Sequence, residues 1–181
     1  MAMIRRKLPQ LLLEAASVVF AVLVALAVDE WRQDRENVQL ARRALAGIAS
    51  EIRGNLGELD DARDANRAML VVLDSALTSE APQGFGVHFE YALLSSAAWQ
   101  TSQVTQAIHF VDYGLVQRIA RVYDLQTLFV ESQRGLVDQM SGTAGIDDPV
   151  APLRRRLEVL MELEAGLTDA YREILPELPD G

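Results

Sequence analysis

The chain has 181 residues, half of them hydrophobic but only 6% aromatic, which is typical of one mostly helical domain. It contains no cysteine, so disulfides, thiolate metal sites and a cysteine nucleophile are excluded. The net charge is −9, and residues 1–28 carry +2 (three basic residues against Glu14), which leaves −11 for the remainder. An acidic domain of this kind repels polyanions, and we expect no nucleic-acid partner.

The apolar run near the N-terminus predicts a membrane helix. From Leu11 to Val28 there are eighteen residues, of which only Glu14 is charged, and this is just enough for a helix to cross the bilayer core. We therefore assign residues 8–30 to a transmembrane anchor, with the lipid bilayer as its partner.

The flanks of this run predict its orientation. Trp31 follows the far end, where an amphipathic ring prefers the headgroup layer. Residues 1–7 form a basic tip that the positive-inside rule places in the cytoplasm, and residues 31–175 are then expected in the periplasm, beyond a bacterial inner membrane. The expected interfacial residues are Arg5, Arg6, Lys7 and Trp31.

Two alternatives to a retained anchor remain open. The stretch Ala25-Leu26-Ala27 fits a signal-peptide cleavage site, although nothing breaks the helix there and Glu14 interrupts the apolar region. A buried soluble helix is the other alternative, but a chain of this size has little core in which to hide a helix that is apolar on all sides.

Within the anchor, four residues are candidates for helix pairing or for contact with a partner. A carboxylate inside a membrane helix is costly, so Glu14 either has a function there or snorkels towards the basic flank and pairs with it. Small residues four positions apart allow two helices to approach closely. The candidate residues are Glu14, Ser17, Ala21 and Ala25.

Beyond the anchor, apolar spacing predicts that the first helix continues to about residue 76. Steps of three and four alternate and form a heptad seam, in which Asn55 and Asn66 are polar members expected to fix the register. Gly54 and Gly57 weaken the middle of this helix and favour a bend. The seam consists of Val38, Ala41, Leu45, Ile48, Ile52, Asn55, Leu59, Ala62, Asn66, Met69 and Leu73.

Proline- and glycine-containing stretches divide the rest of the chain into further helices. The loops are expected at 78–86, "TSEAPQGFG", and at 141–152, "SGTAGIDDPVAP". The predicted helices are 31–76, 87–108, 112–140 and 150–175, followed by a tail at 176–181. Four such helices with short connections predict an all-α protein, an antiparallel and roughly four-helix bundle whose first helix is continuous with the transmembrane helix. Packing within one chain or against a second copy is equally compatible with the seam.

No motif in the sequence indicates catalysis. Neither His88 nor His109 has a glutamate three residues before it, as a di-iron bundle requires, and two isolated histidines are a poor metal site. The sequence has no nucleophile elbow, P-loop or dinucleotide fingerprint. We therefore expect no enzymatic activity, no metal and no cofactor.

The segment "SSAAWQTSQVTQAIHFVDYG", residues 95–114, has few charges and several aromatic rings. A charge-poor surface with aromatic anchors is typical of protein contacts, so Trp99, Phe110 and Tyr113 are candidate contact residues. The alternative is that the three rings fill the end of the bundle core.

Parts of the sequence resemble a group of uncharacterised bacterial single-pass membrane proteins with an N-terminal anchor helix that runs into a helical extracytoplasmic domain. The resemblance rests on "LLLEAASVVFAVLVALAVDEWRQDREN", "LARRALAGIASEIRGNLGEL", "AAWQTSQVTQAI" and "LVQRIARVYDLQ". It places Trp31 and Trp99 at recurring positions, and it implies no activity and no functional residues.

Together these features predict a non-catalytic periplasmic scaffold or partner-binding protein, tethered to the membrane and either homo-oligomeric or bound to a membrane-protein partner. The alternative is a sensory or accessory subunit that relays a periplasmic signal through its continuous helix.

Overall fold

A computed structural model of the chain describes residues 2–78, 89–142 and 150–179. Side chains within these ranges are described for Glu14 and from Ala16 onward, up to Met140 in the second range. The side chains of Arg5, Arg6 and Lys7 therefore lie outside the described residues, as does most of the two predicted loops. The described residues form four α-helices: α1 (Ala2–Thr78), α2 (Ala97–Val104), α3 (Tyr113–Gly142) and α4 (Val150–Ile174). Short 3-10 helices cover Ala107–Phe110 and Leu175–Glu177.

The all-α prediction is confirmed, because all regular structure in the described residues is helical. The topology follows from side-chain pairs. Tyr123 and Gln126 of α3 bond to Glu51 and Asn55 of α1, so these two helices run in the same direction. In α4, Glu164 bonds to Arg63 and Arg154 to Asp74, so α4 runs opposite to α1.

The predicted seam of α1 lines the core. Every seam position from Ile48 to Leu73 is less than 4% exposed, whereas Val38 remains 50% exposed. Full burial of the isoleucine, leucine and methionine side chains among them is worth about 1.5–3 kcal/mol each. The seam faces large apolar residues of the other two long helices: Ile119, Phe129, Leu136, Leu157, Leu160, Leu167 and Tyr171.

The structure differs from the prediction over the first half of the second helix. Residues 89–96 are not helical, and α2 begins only at Ala97. The remainder of the predicted helix 87–108 is split by a turn at Thr105 and Gln106, where Gln106 has a left-handed φ of 59°. Side chains from α1 and α3 hold residues 89–96 in their non-helical form, as described below.

Residues 16–28 of α1 are not covered by any other part of the chain that the structure describes. Residues 16–28 are all exposed, and the large apolar side chains among them are 46–68% exposed. Within the described residues, no helix combines the length and the apolarity needed to span a bilayer.

Helix α1 passes through Gly54 and Gly57 without interruption. A Cβ atom built at either glycine meets no heavy atom within 4 Å. Both positions lie on the open side of the helix, so glycine is not required there for packing.

One ion pair between α1 and α4 is largely shielded from water. The Arg63 Nε donates to Glu164 Oε1 at 2.7 Å, and its other nitrogens reach Thr168 and Asp60. The Glu164 side chain is 4% exposed and that of Arg63 is 22% exposed. Burial raises the pKa of the Glu164 carboxyl, and Arg63 only partly offsets this.

We expect Gly54→Ala and Gly57→Ala each to raise the free energy of unfolding by about 0.5–1 kcal/mol, because alanine restricts the unfolded chain and nothing obstructs its methyl group. Urea unfolding of the full chain measures the change. Gly135→Ala is the control, since its Cβ would lie 3.0 Å from Arg156 Nη1. Destabilisation by both variants would show that this side of α1 is not open.

We expect Arg63→Met to destabilise the fold by about 2–3 kcal/mol at pH 7.5, because it leaves a buried carboxylate without its cation. The folded pKa of Glu164 is raised, so its ionisation costs stability as the pH rises through that value. The penalty should therefore shrink towards pH 4, where Glu164 is protonated. Urea unfolding at both pH values measures this, and the Arg63→Met, Glu164→Gln double variant should recover most of the loss at pH 7.5.

Candidate functional site

Residues 89–96, which we call the strap, lie between α1 and α3 and are bound to both through their backbone. Asn55 and Asn66 reach them from α1, and Gln126 and Gln133 reach them from α3. We call these four side chains the amide clamp. All four are less than 5% exposed.

The clamp residues act as substitutes for the neighbouring strands of a sheet. Asn55 Oδ1 accepts from the Ser95 N–H and Asn55 Nδ2 donates to the Ser95 C=O, both at 2.8 Å. Gln133 makes the same pair of bonds with Ala92, at 3.0 and 3.1 Å. Asn66 does so with Glu90 at 3.3 Å. A side-chain amide has the donor and acceptor of a peptide group, so it can pair with both backbone groups of a strap residue without a sheet.

The spacing of the clamp shows that the strap is extended. Asn55 and Asn66 are eleven helical residues apart, or about 16.5 Å, and they hold Ser95 and Glu90, which five extended residues separate by about 16.5 Å. Eleven residues are close to three full turns, so both amides project from one face of α1.

Glu51 connects the strap to α2 and α3. Its carboxylate accepts from Ser95 Oγ at 2.7 Å, from the Ala98 N–H at 2.8 Å and from Tyr123 Oη at 2.6 Å. It also accepts from the Trp99 N–H at 3.4 Å. Because the first N–H groups of a helix lack partners, Glu51 caps α2 in place of Ser96, whose side chain makes no capping bond.

The aromatic side of this site is buried. The ring of Trp99 stacks on that of Tyr123, with 5.4 Å between centroids and 6° between planes. Burial raises the pKa of the Tyr123 hydroxyl, and its hydrogen bond to Glu51 raises it further. Burial likewise raises the pKa of Tyr171, whose hydroxyl donates to Gln126 Oε1 at 2.7 Å. Both phenols therefore remain protonated donors.

Two clefts flank the strap. The cleft towards α1 has a volume of about 500 Å³, and its wall includes Gly54, Glu58 and Leu93. The cleft towards α3 has a volume of about 430 Å³, with Trp99 and Tyr123 among its lining residues. Its remaining wall is mainly polar: Ser96, Gln100, Gln103, Asp124, Gln126, Thr127, Glu131 and Arg134.

The structure separates the three aromatic candidates for a protein contact. Trp99 is 9% exposed and belongs to the core, as the alternative interpretation expected. Phe110 and Tyr113 remain 46% and 74% exposed, at the corner between α2 and α3. They do not join Trp99 in one exposed surface.

The candidates near the N-terminus lie on the unpacked part of α1. Glu14, Ser17, Ala21 and Ala25 are all exposed, and the Ser17 hydroxyl donates to the Glu14 carbonyl at 2.8 Å. Trp31 is 57% exposed.

Of the predicted interfacial residues, Trp31 is the one whose side chain is described, and it contacts Arg35. The Arg35 guanidinium lies 4.0 Å from the centre of the Trp31 ring.

Within the part of the chain that the structure describes, no group of three or more potential ligands could hold a metal ion.

Sequence reasoning found half of the clamp and missed its role. Asn55 and Asn66 were expected to fix helix register, but they bind the strap backbone. Gln126 and Gln133 were not singled out, although they lie in the α3 seam between Val122, Phe129 and Leu136 at steps of three and four. Amides within the apolar seams of two helices are the signal that identifies them.

We expect Asn55→Leu to lower the free energy of unfolding by about 2–4 kcal/mol, because it strips partners from the Ser95 backbone and from Tyr171. A register-fixing asparagine in a coiled coil would give the opposite sign, since leucine there adds stability. Urea unfolding decides between them. Asn37→Leu, on the same helix but outside the clamp, is the control and should change stability by less than about 0.5 kcal/mol.

No family model matches this chain, and neither the curated proteins nor the solved structures provide a match.

Proposed function

We propose that this chain is a membrane-anchored helical protein whose folded head binds or scaffolds a partner protein and carries out no catalysis. Residues 8–30 would lie in the inner membrane, with the N-terminus in the cytoplasm. The head, residues 31–175, would lie in the periplasm. The proposal rests on one observation, the contrast between the two ends of α1.

The contrast is one of packing. From Ile48 to Leu73, the seam of α1 is covered by the rest of the chain. From Val18 to Val28, large apolar side chains on every side of the helix are exposed. An apolar surface of this extent, left uncovered by the described residues, is typical of contact with lipid or with another protein. The run of eighteen residues with one charge favours lipid.

Two features of α1 also support a membrane boundary close to Trp31. Trp31 follows the apolar stretch, and its ring is covered on one face by Arg35. An aromatic ring stacked with a cation suits the headgroup layer. The first buried residue of the head, Ala41, comes thirteen residues after Val28, or about 20 Å along the helix. The head would thus be held just outside the bilayer surface.

The head offers surfaces suited to a protein partner. The cleft towards α3 has a mainly polar wall, and the cleft towards α1 includes Leu93, which is 71% exposed. The corner adds Phe110 and Tyr113. Exposed aromatic and aliphatic side chains beside polar groups are common in protein contact surfaces.

A sensory or accessory subunit is the second candidate. The feature in its favour is the continuity of α1, which runs from Ala2 to Thr78 without a break. One rigid helix that joins the apolar stretch to the core of the head would carry a shift in the head towards the membrane. Such a subunit would act through a partner within the bilayer, for which Glu14 is the candidate contact.

We expect the full chain to stay in the membrane pellet after an alkaline carbonate wash and to retain Met1 by intact mass. Val22→Asp with Leu23→Asp should release or destabilise it, because each charge at the centre of a membrane helix costs about 2.5–3.5 kcal/mol. Val38→Asp, at an exposed apolar position of α1 beyond the stretch, is the matched control and should remain in the pellet.

Recovery of the wild-type chain from the aqueous fraction, still beginning at Met1, would contradict the anchor. A mass that begins at Val28 would instead show cleavage after Ala27. Protease added to spheroplasts should digest the head, and its protection would reverse the orientation.

A further inference from the structure

The strap has a sequence that favours helix, although the clamp holds it extended. Its residues, "FEYALLSS", include glutamate, alanine and two leucines, and "AAWQTSQV" follows directly as α2. Glutamate, alanine and leucine are among the best helix formers, and the two serines are only moderately unfavourable. No proline or glycine occurs between Phe89 and Val104.

Within the segment itself, one side-chain bond marks the start of α2 at Ala97: the Ser95 Oγ accepts from the Ala97 N–H at 3.3 Å. The residue before it, Ser96, makes no capping bond with its side chain. The next two N–H groups of α2, those of Ala98 and Trp99, donate to Glu51 on α1. The boundary between the extended strap and the helix therefore depends mainly on tertiary contacts with α1 and α3, beside the one local bond from Ser95.

We propose that the strap is a two-state element, which is either extended in the amide clamp or helical as an N-terminal extension of α2. Release would bare Asn55, Asn66, Gln126 and Gln133 and would place a longer helix beside α1. The head would then present two different surfaces to a partner. This inference goes beyond the proposed function and does not require the anchor.

The chain is long enough for both states. In the extended state, Glu90 lies level with Asn66, about 18 Å along α1 from Thr78. Helix formation from residue 90 to residue 97 would shorten that segment from about 23 Å to about 10.5 Å. Thr78 and Glu90 would then be about 31 Å apart along the axis, and the twelve residue steps between them can span about 40 Å.

Distance measurement between two spin labels tests the proposal, and the lack of cysteine makes specific labelling simple. The labels go on Leu93→Cys and Val104→Cys, at side chains that are 71% and 83% exposed. The backbone separation is about 24 Å with the strap extended and about 17 Å with residues 93–104 helical. The full chain is used, kept monodisperse in a mild detergent.

Variants of the clamp shift the balance between the states. Gln133→Ala removes both bonds to Ala92, and Asn66→Ala removes both bonds to Glu90. Each should raise the helical fraction about tenfold, and the double variant should do so by about a hundredfold. We expect a second, narrow population about 7 Å shorter, together with a gain in far-ultraviolet helical signal.

The matched control is Gln139→Ala, on α3 but outside the clamp, where the side-chain oxygen has no hydrogen-bond partner among the described residues. It should leave the distance unchanged. An unchanged distance in the double variant would overturn the proposal, as would a broad distribution, which indicates a disordered strap. A variant that unfolds loses helical signal and is thereby recognised, and Asn66→Ala, which removes the two longest bonds, then provides the test.

Discussion

The hydrogen-bonding requirement of one short backbone segment organises the head of this protein. The strap lies between α1 and α3, where the N–H and C=O groups of the buried Ala92 would be costly without partners. Buried amides on the two helices meet that requirement. The same amides join α1 to α3, which run in the same direction, and Tyr171 on α4 is bonded to two of them.

This arrangement explains why the bundle is only partly built from helices. Three of the four bundle elements are the long helices α1, α3 and α4. The remaining one runs antiparallel to α1, first as the extended strap and then as α2. An extended chain covers more than twice the length per residue of a helix, so eight residues cover a stretch of α1 that would otherwise need about seventeen. The clefts beside the strap follow from its narrow cross-section.

The sequence predicted those parts of the fold that depend on apolar periodicity. The seam of α1 from Ile48 to Leu73 is buried as its spacing indicated, and four helices form. Apolar periodicity wrongly predicted a helix over 89–96, because Tyr91 and Leu94 have helical spacing. The bonds that hold this segment extended come from residues of α1 and α3, which are distant in sequence. The sequence identified Trp99 as a residue of either a contact surface or the core. It could not decide between the two, because the burial of Trp99 involves stacking on Tyr123, which lies on another helix.

The uninterrupted passage of α1 from its unpacked end into the core has a rotational consequence. An α-helix turns by about 100° and advances by about 1.5 Å with each residue. The number of residues between Val28 and Ala41 therefore fixes how the strap and its clefts are oriented about the helix axis, relative to the exposed N-terminal part of α1. Insertion of a single residue there would rotate the head about the helix axis by more than a quarter of a circle relative to the N-terminal part of α1. The same insertion would hardly change the distance between them along the axis.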